Sequence, residues 1–305
     1  MPSVRSNGIT IEYEVSGPVK GPAVLMVMGL GQQLVMWPTM LVDGLNAAGF
    51  RTIRIDNRDV GKSTKVHGKS ALPPALALIA ARVGVKGLAP YLLPDMAKDA
   101  VGVLDALDVD RAHIMGVSMG GMIGQIISAD YPDRVKSFTA LLTTTNKTSL
   151  PRPSAEVVRT MTKRPSKTAS RDQIIDHALS VWDVIGTKDP DDPRTELRAR
   201  VAEAVDRCVY PAGLRRQIAA ILATGELGGW TDRIAASTLI IHGSDDPLVH
   251  VDGAKDIAAR VQDSQLAVID GMGHDLPAKH LPHITELVVA HLRAADERAS
   301  ANAAA

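Results

Sequence analysis

GVSMGG at residues 116–121 directly follows the apolar run of residues 112–115 and directly precedes an apolar helical pattern. In that context the G-x-S-x-G pattern is typical of a tight strand-to-helix turn, which holds its serine, Ser118, in a strained conformation. Gly116 and Gly120 are needed because a Cβ at either position would collide with neighbouring backbone. Taken alone, the stretch also allows a glycine-rich turn that only packs a helix against a strand.

Apolar runs that are typical of strands buried on both faces recur along the chain. They cover residues 23–28, 52–55, 112–115, 137–142, 238–241 and 266–269. Helical patterns separate most of them, at residues 34–48, 94–107, 119–131, 252–261 and 281–294. This alternation predicts an α/β fold with a mostly parallel central sheet and helices on both faces, because parallel strands need crossover connections. The Asn7-Gly8 turn within residues 4–16 predicts a hairpin at one edge of the sheet.

Residues 145–231 interrupt this alternation. They contain no buried-strand run, whereas Ser170 with Gln173 forms a capping box and Pro211 opens another helical pattern. We therefore expect a helical cap at 145–231, inserted into a core of residues 1–144 and 232–296, and a flexible tail at 297–305. The apolar, proline-broken residues 71–94 are either a packed connection or a mobile wall of a binding cavity.

The composition is that of a soluble globular chain. Of 305 residues, 45% are hydrophobic and 22% are charged, and 34 basic residues balance 34 acidic ones. No cluster of like charges offers a footprint for nucleic acid. We expect a soluble cytoplasmic protein without a metal or an organic cofactor. Cys208 is the single cysteine, and the sequence shows no signal peptide, transmembrane run or zinc-site spacing. A homo-oligomer is compatible with this sequence.

A serine nucleophile requires a base within hydrogen-bond reach and a carboxylate that orients the base. Asp246 and His274 each follow a predicted strand, and open α/β sheets build their sites at the carboxyl ends of strands. Asp246 is favoured over Asp245 because Pro247 holds the residue before it extended. His274 is favoured because glycines flank it in a loop free of bulky neighbours. The other candidates for the base are His242, His250, His280 and His283.

Acyl transfer also requires N–H donors for the developing oxyanion. The backbone N–H of Met119, directly after the serine, is the first predicted donor. The second is that of Leu30, in the loop after the run at 23–28, with Gly31 as the alternative. Two other motifs fail: the GKS at 61–63 lacks the leading glycine of a P-loop, and residues 29–34 lack the third glycine of a dinucleotide-binding loop. The polar turn at 56–61 is expected to be structural.

At these residues the chain resembles the α/β-hydrolase fold superfamily over nearly its whole length, with residues 145–231 in the position of that family's cap. More narrowly, VMGLGQQLVMWP, IDNRDVGKST and LPDMAKDAVGVLDALDVDRAHIMGVSMGGMIGQ resemble the bacterial esterase and lipase branch that includes aclacinomycin methylesterase-like proteins. The chain departs from many relatives in having Met28-Gly29 where they have His-Gly. Serine at the elbow differs from the aspartate nucleophile of haloalkane dehalogenases and epoxide hydrolases.

These features predict a serine hydrolase that cleaves a carboxylic ester of a small to medium, mainly apolar substrate through an acyl-enzyme. Ser118 is the predicted nucleophile, His274 the base and Asp246 the acid. A thioesterase, a lactonase or a cofactor-free perhydrolase would use the same triad, and a catalytically silent ligand-binding homologue is the non-enzyme alternative. The candidate pocket walls are the aromatic residues Trp37, Tyr91, Trp182 and Tyr210.

Overall fold

The computed structural model describes residues 1–67, 89–163, 165–166, 168–192 and 194–304, with side chains up to residue 301. Residues 71–94 were predicted to be either a packed connection or a mobile wall of a binding cavity. Most of this segment, residues 71–88, lies outside the described part of the chain.

A central sheet organises the described residues. Its strands are β1 (Ser3–Ser6), β2 (Ile9–Ser16), β3 (Ala23–Val27), β4 (Arg51–Ile55), β5 (Ala112–Val117), β6 (Val135–Leu141), β7 (Thr238–Gly243) and β8 (Ser264–Ile269). They lie in the order β1-β2-β4-β3-β5-β6-β7-β8. β1 and β2 form an antiparallel hairpin, β2 pairs antiparallel with β4, and the pairs from β4 to β8 are parallel. The predicted α/β fold class is confirmed.

Helices connect most of the parallel strands. They are α1 (Thr39–Ala47), α2 (Leu93–Ala106), α3 (Met119–Asp130), α4 (Ala155–Thr162), α5 (Arg171–Ile185), α6 (Thr195–Arg207), α7 (Pro211–Thr224), α8 (Gly228–Thr231), α9 (Asp252–Arg260) and α10 (Leu281–Ala304). Helices α4 to α8 follow β6 and precede β7, within the segment for which a helical cap was predicted. Among the described residues, no helix combines the length and the apolar character needed to cross a bilayer.

The central strands are mainly apolar because helices cover both faces of the sheet. In β3, Leu25 and Val27 belong to one hydrophobic cluster, together with side chains from α2, α3 and α9. Val24 and Met26 belong to a second cluster, together with side chains from α1 and α10. All four side chains are fully buried, as expected for a parallel strand covered on both faces. This packing holds the carboxyl ends of the strands in place, where the loops of the site begin.

Two helices differ from their predicted bounds by more than one residue. The pattern at 34–48 is split: a 3₁₀ turn at Leu34–Met36 is followed by an extended Trp37, and α1 begins only after Pro38. A proline disfavours helical backbone at the residue before it, which explains the break. At the other end of the chain, α10 continues to Ala304. Residues 297–304, for which a flexible tail was predicted, thus continue this helix, and the alanine, glutamate and arginine residues there favour helix without apolar contacts.

Helix α8 packs on the core, where its side chains contact α3. Thr231 Oγ1 donates to Gln125 Oε1 at 2.7 Å, and Trp230 Nε1 donates to Asp130 Oδ2 at 3.0 Å. Both acceptors belong to α3. Helices α4 to α7 contribute side chains to a cavity at the carboxyl edge of the sheet. The insertion therefore ends on the core, and its first four helices cover the site.

Candidate active site

Ser118 lies in the sharp turn between β5 and α3. Its backbone has φ +55° and ψ −119°, a conformation that residues with a side chain rarely adopt. A Cβ on Gly120 would lie 2.0 Å from the carbonyl oxygen of Val27, and a Cβ on Gly116 would lie 2.2 Å from the carbonyl oxygen of Gly120. Close backbone approach thus requires both glycines. The turn places Ser118 in the wall of the cavity.

His274 and Asp246 form a hydrogen-bonded chain with Ser118. His274 Nε2 lies 3.0 Å from Ser118 Oγ, and His274 Nδ1 lies 2.6 Å from Asp246 Oδ2. With its proton on Nδ1, the imidazole donates to the carboxylate and accepts the serine O–H at Nε2. The three residues follow β5, β7 and β8. The parallel sheet therefore brings together a serine and a histidine that are 156 positions apart.

The Asp246 carboxylate is buried and held ionised by its neighbours. Its Oδ1 accepts the N–H groups of Leu248 and Val249 at 2.9 and 2.8 Å, and His242 Nε2 lies 3.4 Å from its Oδ2. Burial acts to raise the pKa of Asp246, but the two histidines and the Val249 N–H hold this pKa well below its ordinary value. Asp246 is thus an anion near neutral pH and can fix one tautomer of His274.

The alternative acid and bases lie elsewhere. Asp245 is exposed and accepts a hydrogen bond from Ser244 Oγ at 2.9 Å. His242 is buried, and its Nε2 lies 2.8 Å from the carbonyl oxygen of Val249, so its ring contacts the acid and not the serine. Within the described part of the chain, no group of three or more His, Cys, Asp and Glu side chains is arranged to hold a metal ion. The histidines that do not line the cavity with Ser118 include His250, His280 and His283.

Two backbone N–H groups near Ser118 donate to no acceptor among the described residues. They belong to Met119, the first residue of α3, and to Leu30, in the loop after β3. The loop approaches the serine closely, because a Cβ on the glycine before Leu30 would lie 3.3 Å from Ser118 Cβ. The N–H of Gly31, the alternative donor, is bound to Gln217 Oε1 at 2.8 Å. It is therefore not free to bind a substrate.

The cavity that contains Ser118 and His274 has a volume of about 780 Å³. Its wall is mainly apolar. Methionines at positions 28, 36, 119, 122 and 161 contribute to it, and their flexible thioether side chains can adapt to the shape of a ligand. The charged side chains in the wall are Asp192, Arg194, Glu196, Arg200 and Asp275.

Only one of the four aromatic residues predicted as pocket walls, Trp182, lines the cavity. Trp37 is 1% exposed and packs in the hydrophobic cluster on the α1 face of the sheet. The hydroxyl of Tyr91 donates to a buried carboxylate at 2.7 Å, and that of Tyr210 accepts from Arg216 Nη2 at 2.9 Å. The prediction is wrong for Trp37, Tyr91 and Tyr210, because the aromatic residue type by itself does not distinguish core packing from a pocket wall.

A segment after α5 holds the histidine loop, and the sequence analysis did not identify it. Thr187 Oγ1 donates to Asp275 Oδ1 at 2.5 Å and accepts the N–H of Gly273 at 2.9 Å. The N–H of His274 donates to the carbonyl of Ile185 at 2.7 Å. In the sequence, only Asp275 pointed to this contact, because it directly follows the predicted base. Thr187 lies 88 positions away, and no local pattern reveals the contact.

The polar turn at residues 56–61 joins the core to two helices of the insertion. Asp56 Oδ2 accepts Arg207 Nη2 of α6 at 2.8 Å, and Asp59 Oδ1 accepts Arg216 Nη2 of α7 at 2.8 Å. Both carboxylates are buried. These ion pairs hold the cavity-covering helices against the loop that follows β4.

Known proteins similar to this chain are hydrolases by name. The family model described as the alpha/beta hydrolase fold matches residues 22–281. Rhodomycin D methylesterase DnrP from Streptomyces peucetius is 24% identical over 96% of this chain and 98% of its own length. The putative carbamate hydrolase RutD from Variovorax paradoxus is 30% identical over 87% of this chain and 89% of its own length. The solved structure of the enol-lactonase from Burkholderia xenovorans LB400 superposes on this chain with a TM-score of 0.72 and 21% sequence identity, over 96% of this chain and all of the lactonase chain. This is a similarity in fold.

Proposed function

The chain belongs to the α/β-hydrolase family, as its motifs predicted, and from this premise we propose that it is a serine-dependent hydrolase of carboxylic esters. The observation that carries the proposal is the hydrogen-bonded chain from Ser118 through His274 to Asp246, at the wall of a mainly apolar cavity. Such a chain activates a hydroxyl that is otherwise a poor nucleophile at neutral pH. The methylesterase and carbamate hydrolase among its relatives support hydrolysis at an acyl carbon.

In the acylation step, Ser118 Oγ attacks the acyl carbon while His274 Nε2 takes up the hydroxyl proton. Asp246 stabilises the imidazolium that forms. The N–H groups of Leu30 and Met119 donate to the oxyanion, and the N-terminal end of α3 adds a favourable dipole. The bond to the alcohol oxygen then breaks, and His274 returns its proton to that oxygen as the alcohol leaves.

In the deacylation step, His274 takes a proton from a water molecule whose oxygen attacks the carbonyl of the acyl-enzyme. The same two N–H groups donate to the second oxyanion. Its collapse breaks the bond to Ser118 Oγ, which regains a proton from His274 while the carboxylic acid leaves. One cycle consumes one ester and one water and releases one acid and one alcohol.

The cavity favours a medium-sized, mainly apolar substrate. A volume of about 780 Å³ falls in the range of small-molecule sites, and its methionine, leucine and isoleucine side chains suit an acyl chain or alcohol of several carbons. Helices α4 to α7 supply much of this wall. We assign them to a cap formed by residues 145–231, which selects the substrate by shape.

The test is the initial rate of hydrolysis of p-nitrophenyl esters with acyl chains of two to twelve carbons. We expect the wild-type rate to peak at an intermediate length. Ser118→Ala should lower kcat about 10⁴-fold or more without loss of fold, as judged by circular dichroism. The control is Ser128→Ala, which removes a buried hydroxyl from α3 away from the cavity and should leave kcat within about twofold.

Retention of a tenth of the activity in Ser118→Ala would contradict the role of this serine. Thioesters and lactones of matched chain length, measured in parallel, distinguish the thioesterase and lactonase alternatives, and hydrogen peroxide as the acyl acceptor tests the perhydrolase. Saturable binding of these compounds without turnover that depends on Ser118 would favour the ligand-binding homologue over an enzyme.

A further inference from the structure

A glutamine of the insertion bridges two loops of the core. Gln217, on α7, has no exposed surface. Its Oε1 accepts the N–H of Gly31 at 2.8 Å, and its Nε2 donates to the carbonyl of Arg58 at 2.9 Å. Because the N–H needs an acceptor and the carbonyl needs a donor, these two bonds also fix which way the amide faces. Gln217 therefore ties the loop after β3 to the turn after β4.

The same bond constrains the backbone of the predicted oxyanion donor. Peptide units are planar, so the Leu30 N–H shares a plane with the carbonyl of Gly29, and the Gly31 N–H shares a plane with the carbonyl of Leu30. The first plane is held by the bond from the N–H of Gln32 to the carbonyl of Gly29 at 3.2 Å. The second is held by Gln217. Both planes that meet at Leu30 are thus fixed, one by the loop itself and the other by the insertion.

Packing of α7 leaves little freedom in this arrangement. A Cβ on Gly31, whose φ is +70°, would lie 2.9 Å from Leu214 Cδ1, and a Cβ on Gly213 would lie 2.1 Å from the carbonyl oxygen of Asp59. Helix α7 is therefore pressed against both loops that Gln217 joins. A glutamine on α7 can act on the loop after β3 because no gap separates the two.

The loop after β3 is held at its far end as well. Gln33 Nε2 donates to the carbonyls of Ala204 and Cys208, at 2.7 and 2.9 Å. Ala204 is part of α6, and Cys208 directly follows that helix. The loop thus depends on the insertion at two points, of which the Gln217 contact adjoins the oxyanion donor.

We propose that Gln217 is a positioning residue of the oxyanion hole, which holds the Leu30 N–H in place by binding the next peptide unit. The inference rests on the ester-hydrolase function proposed above. It makes the insertion a part of the catalytic centre in addition to a cover over the substrate. Loss of the bond would misplace a donor to the transition state, so kcat would fall while KM changes little.

The experiment compares Gln217→Met, which has a similar volume but neither hydrogen bond, with Gln125→Met. Gln125 is an equally buried glutamine on α3 whose side chain binds Thr231 and the carbonyl of Thr144. For each protein, kcat and KM are measured on the p-nitrophenyl ester that the wild type hydrolyses fastest. Each is also titrated with a trifluoromethyl ketone, which adds to the serine and forms an oxyanion, and with the matching methyl ketone. Unfolding of each variant is followed by circular dichroism.

In Gln217→Met we expect kcat to fall about 10- to 100-fold and the trifluoromethyl ketone to bind more weakly by a similar factor. KM and methyl ketone binding should stay within about threefold, and Gln125→Met should lose stability without these changes. If Gln217→Met does not fold, the same measurements are made on Gln217→Asn, because the asparagine side chain is too short to reach both loops.

Two results would overturn the proposal, and they can be told apart. Unchanged kcat and unchanged trifluoromethyl ketone affinity in a folded Gln217 variant would show that the glutamine has only a structural role. The wild type would then remain an active hydrolase. If the wild type neither hydrolyses esters through Ser118 nor binds the trifluoromethyl ketone, the proposed function itself fails, and the inference fails with it.

Discussion

Arg216 Nε and Nη2 each donate to one oxygen of the Asp59 carboxylate, both at 2.8 Å. Both residues are almost fully buried, and Tyr91 adds a third hydrogen bond to the same carboxylate. The bond to Asp59 raises the pKa of Arg216 above its ordinary value, so this guanidinium stays charged. Gln217 is the next residue of α7, and one helical turn therefore carries both the ion pair and the contact to the loop after β3.

Replacing Arg216 by Met should destabilise the fold strongly. The variant leaves the Asp59 carboxylate buried without its cation, and breaking one partner of a buried pair costs about 3–5 kcal/mol. The measurement is the free energy of unfolding in urea. The control is Arg198→Met, which breaks an exposed ion pair with Asp176 and should cost about 1 kcal/mol or less. Equal losses in the two variants would contradict the role assigned to the Arg216 pair.

Replacing Arg200 by Met should not destabilise the fold. Arg200 Nε and Nη1 are buried and find no hydrogen-bond acceptor among the described residues, and Glu196 Oε1 lies 3.5 Å from Nη1. Burial lowers the pKa of Arg200, which marks a cation that is costly to desolvate. Since unpaired buried donors cost about 1–3 kcal/mol, we expect the free energy of unfolding to stay level or to rise by about 1 kcal/mol. A loss of 2 kcal/mol or more would show that the guanidinium is stabilising.

Asp246→Asn should lower kcat about 10⁴-fold, because an amide in place of the carboxylate no longer fixes the productive tautomer of His274. The matched control is Asp245→Asn, at the exposed neighbouring position, which should keep kcat within about twofold. Both variants are assayed on the same p-nitrophenyl ester. A larger effect at Asp245 than at Asp246 would reverse the assignment of the acid.

His291 should make the protein less stable in acid. Burial, with a smaller contribution from nearby His113, lowers the pKa of His291 from 6.5 to about 4. Between these two values the unfolded chain binds the proton and the folded chain does not, so stability is complete above pH 6.5 and falls as the pH drops towards 4. The loss is at most about 3 kcal/mol.

The measurement is urea unfolding of the wild type and of His291→Gln between pH 4 and 8. The glutamine amide can still donate to the carbonyl of Phe138, which His291 Nε2 contacts at 3.2 Å, but it does not titrate. We expect a shallower loss of stability in the variant over this range. The role of His291 would be refuted if the free energy of unfolding fell equally with pH in the wild type and the variant. The control is His283→Gln, at an exposed position of the same helix.

Local patterns in the sequence were sufficient for the sheet and for the residues around the serine. The run that became β3 is apolar because both faces of that strand are covered. The need for glycine at 116 follows from a backbone clash within the turn itself, whereas a Cβ at 120 would meet the carbonyl oxygen of Val27 in β3. Parallel pairing then brings the ends of β5, β7 and β8 together, so Asp246 and His274 could be nominated from their place after a strand.

The surroundings of the predicted catalytic residues depended on the tertiary structure. Gln217 contacts Gly31 across 186 positions and Thr187 contacts Asp275 across 88, and neither contact leaves a periodic or steric trace in the local sequence. The same reason explains the aromatic residues: Trp37 and Trp182 are alike as residues, but only packing decides that the first is core and the second lines the cavity. Strand pattern and turn geometry are set by neighbours along the chain. The support of the loop after β3 and the shape of the pocket are set by how the insertion packs on the core.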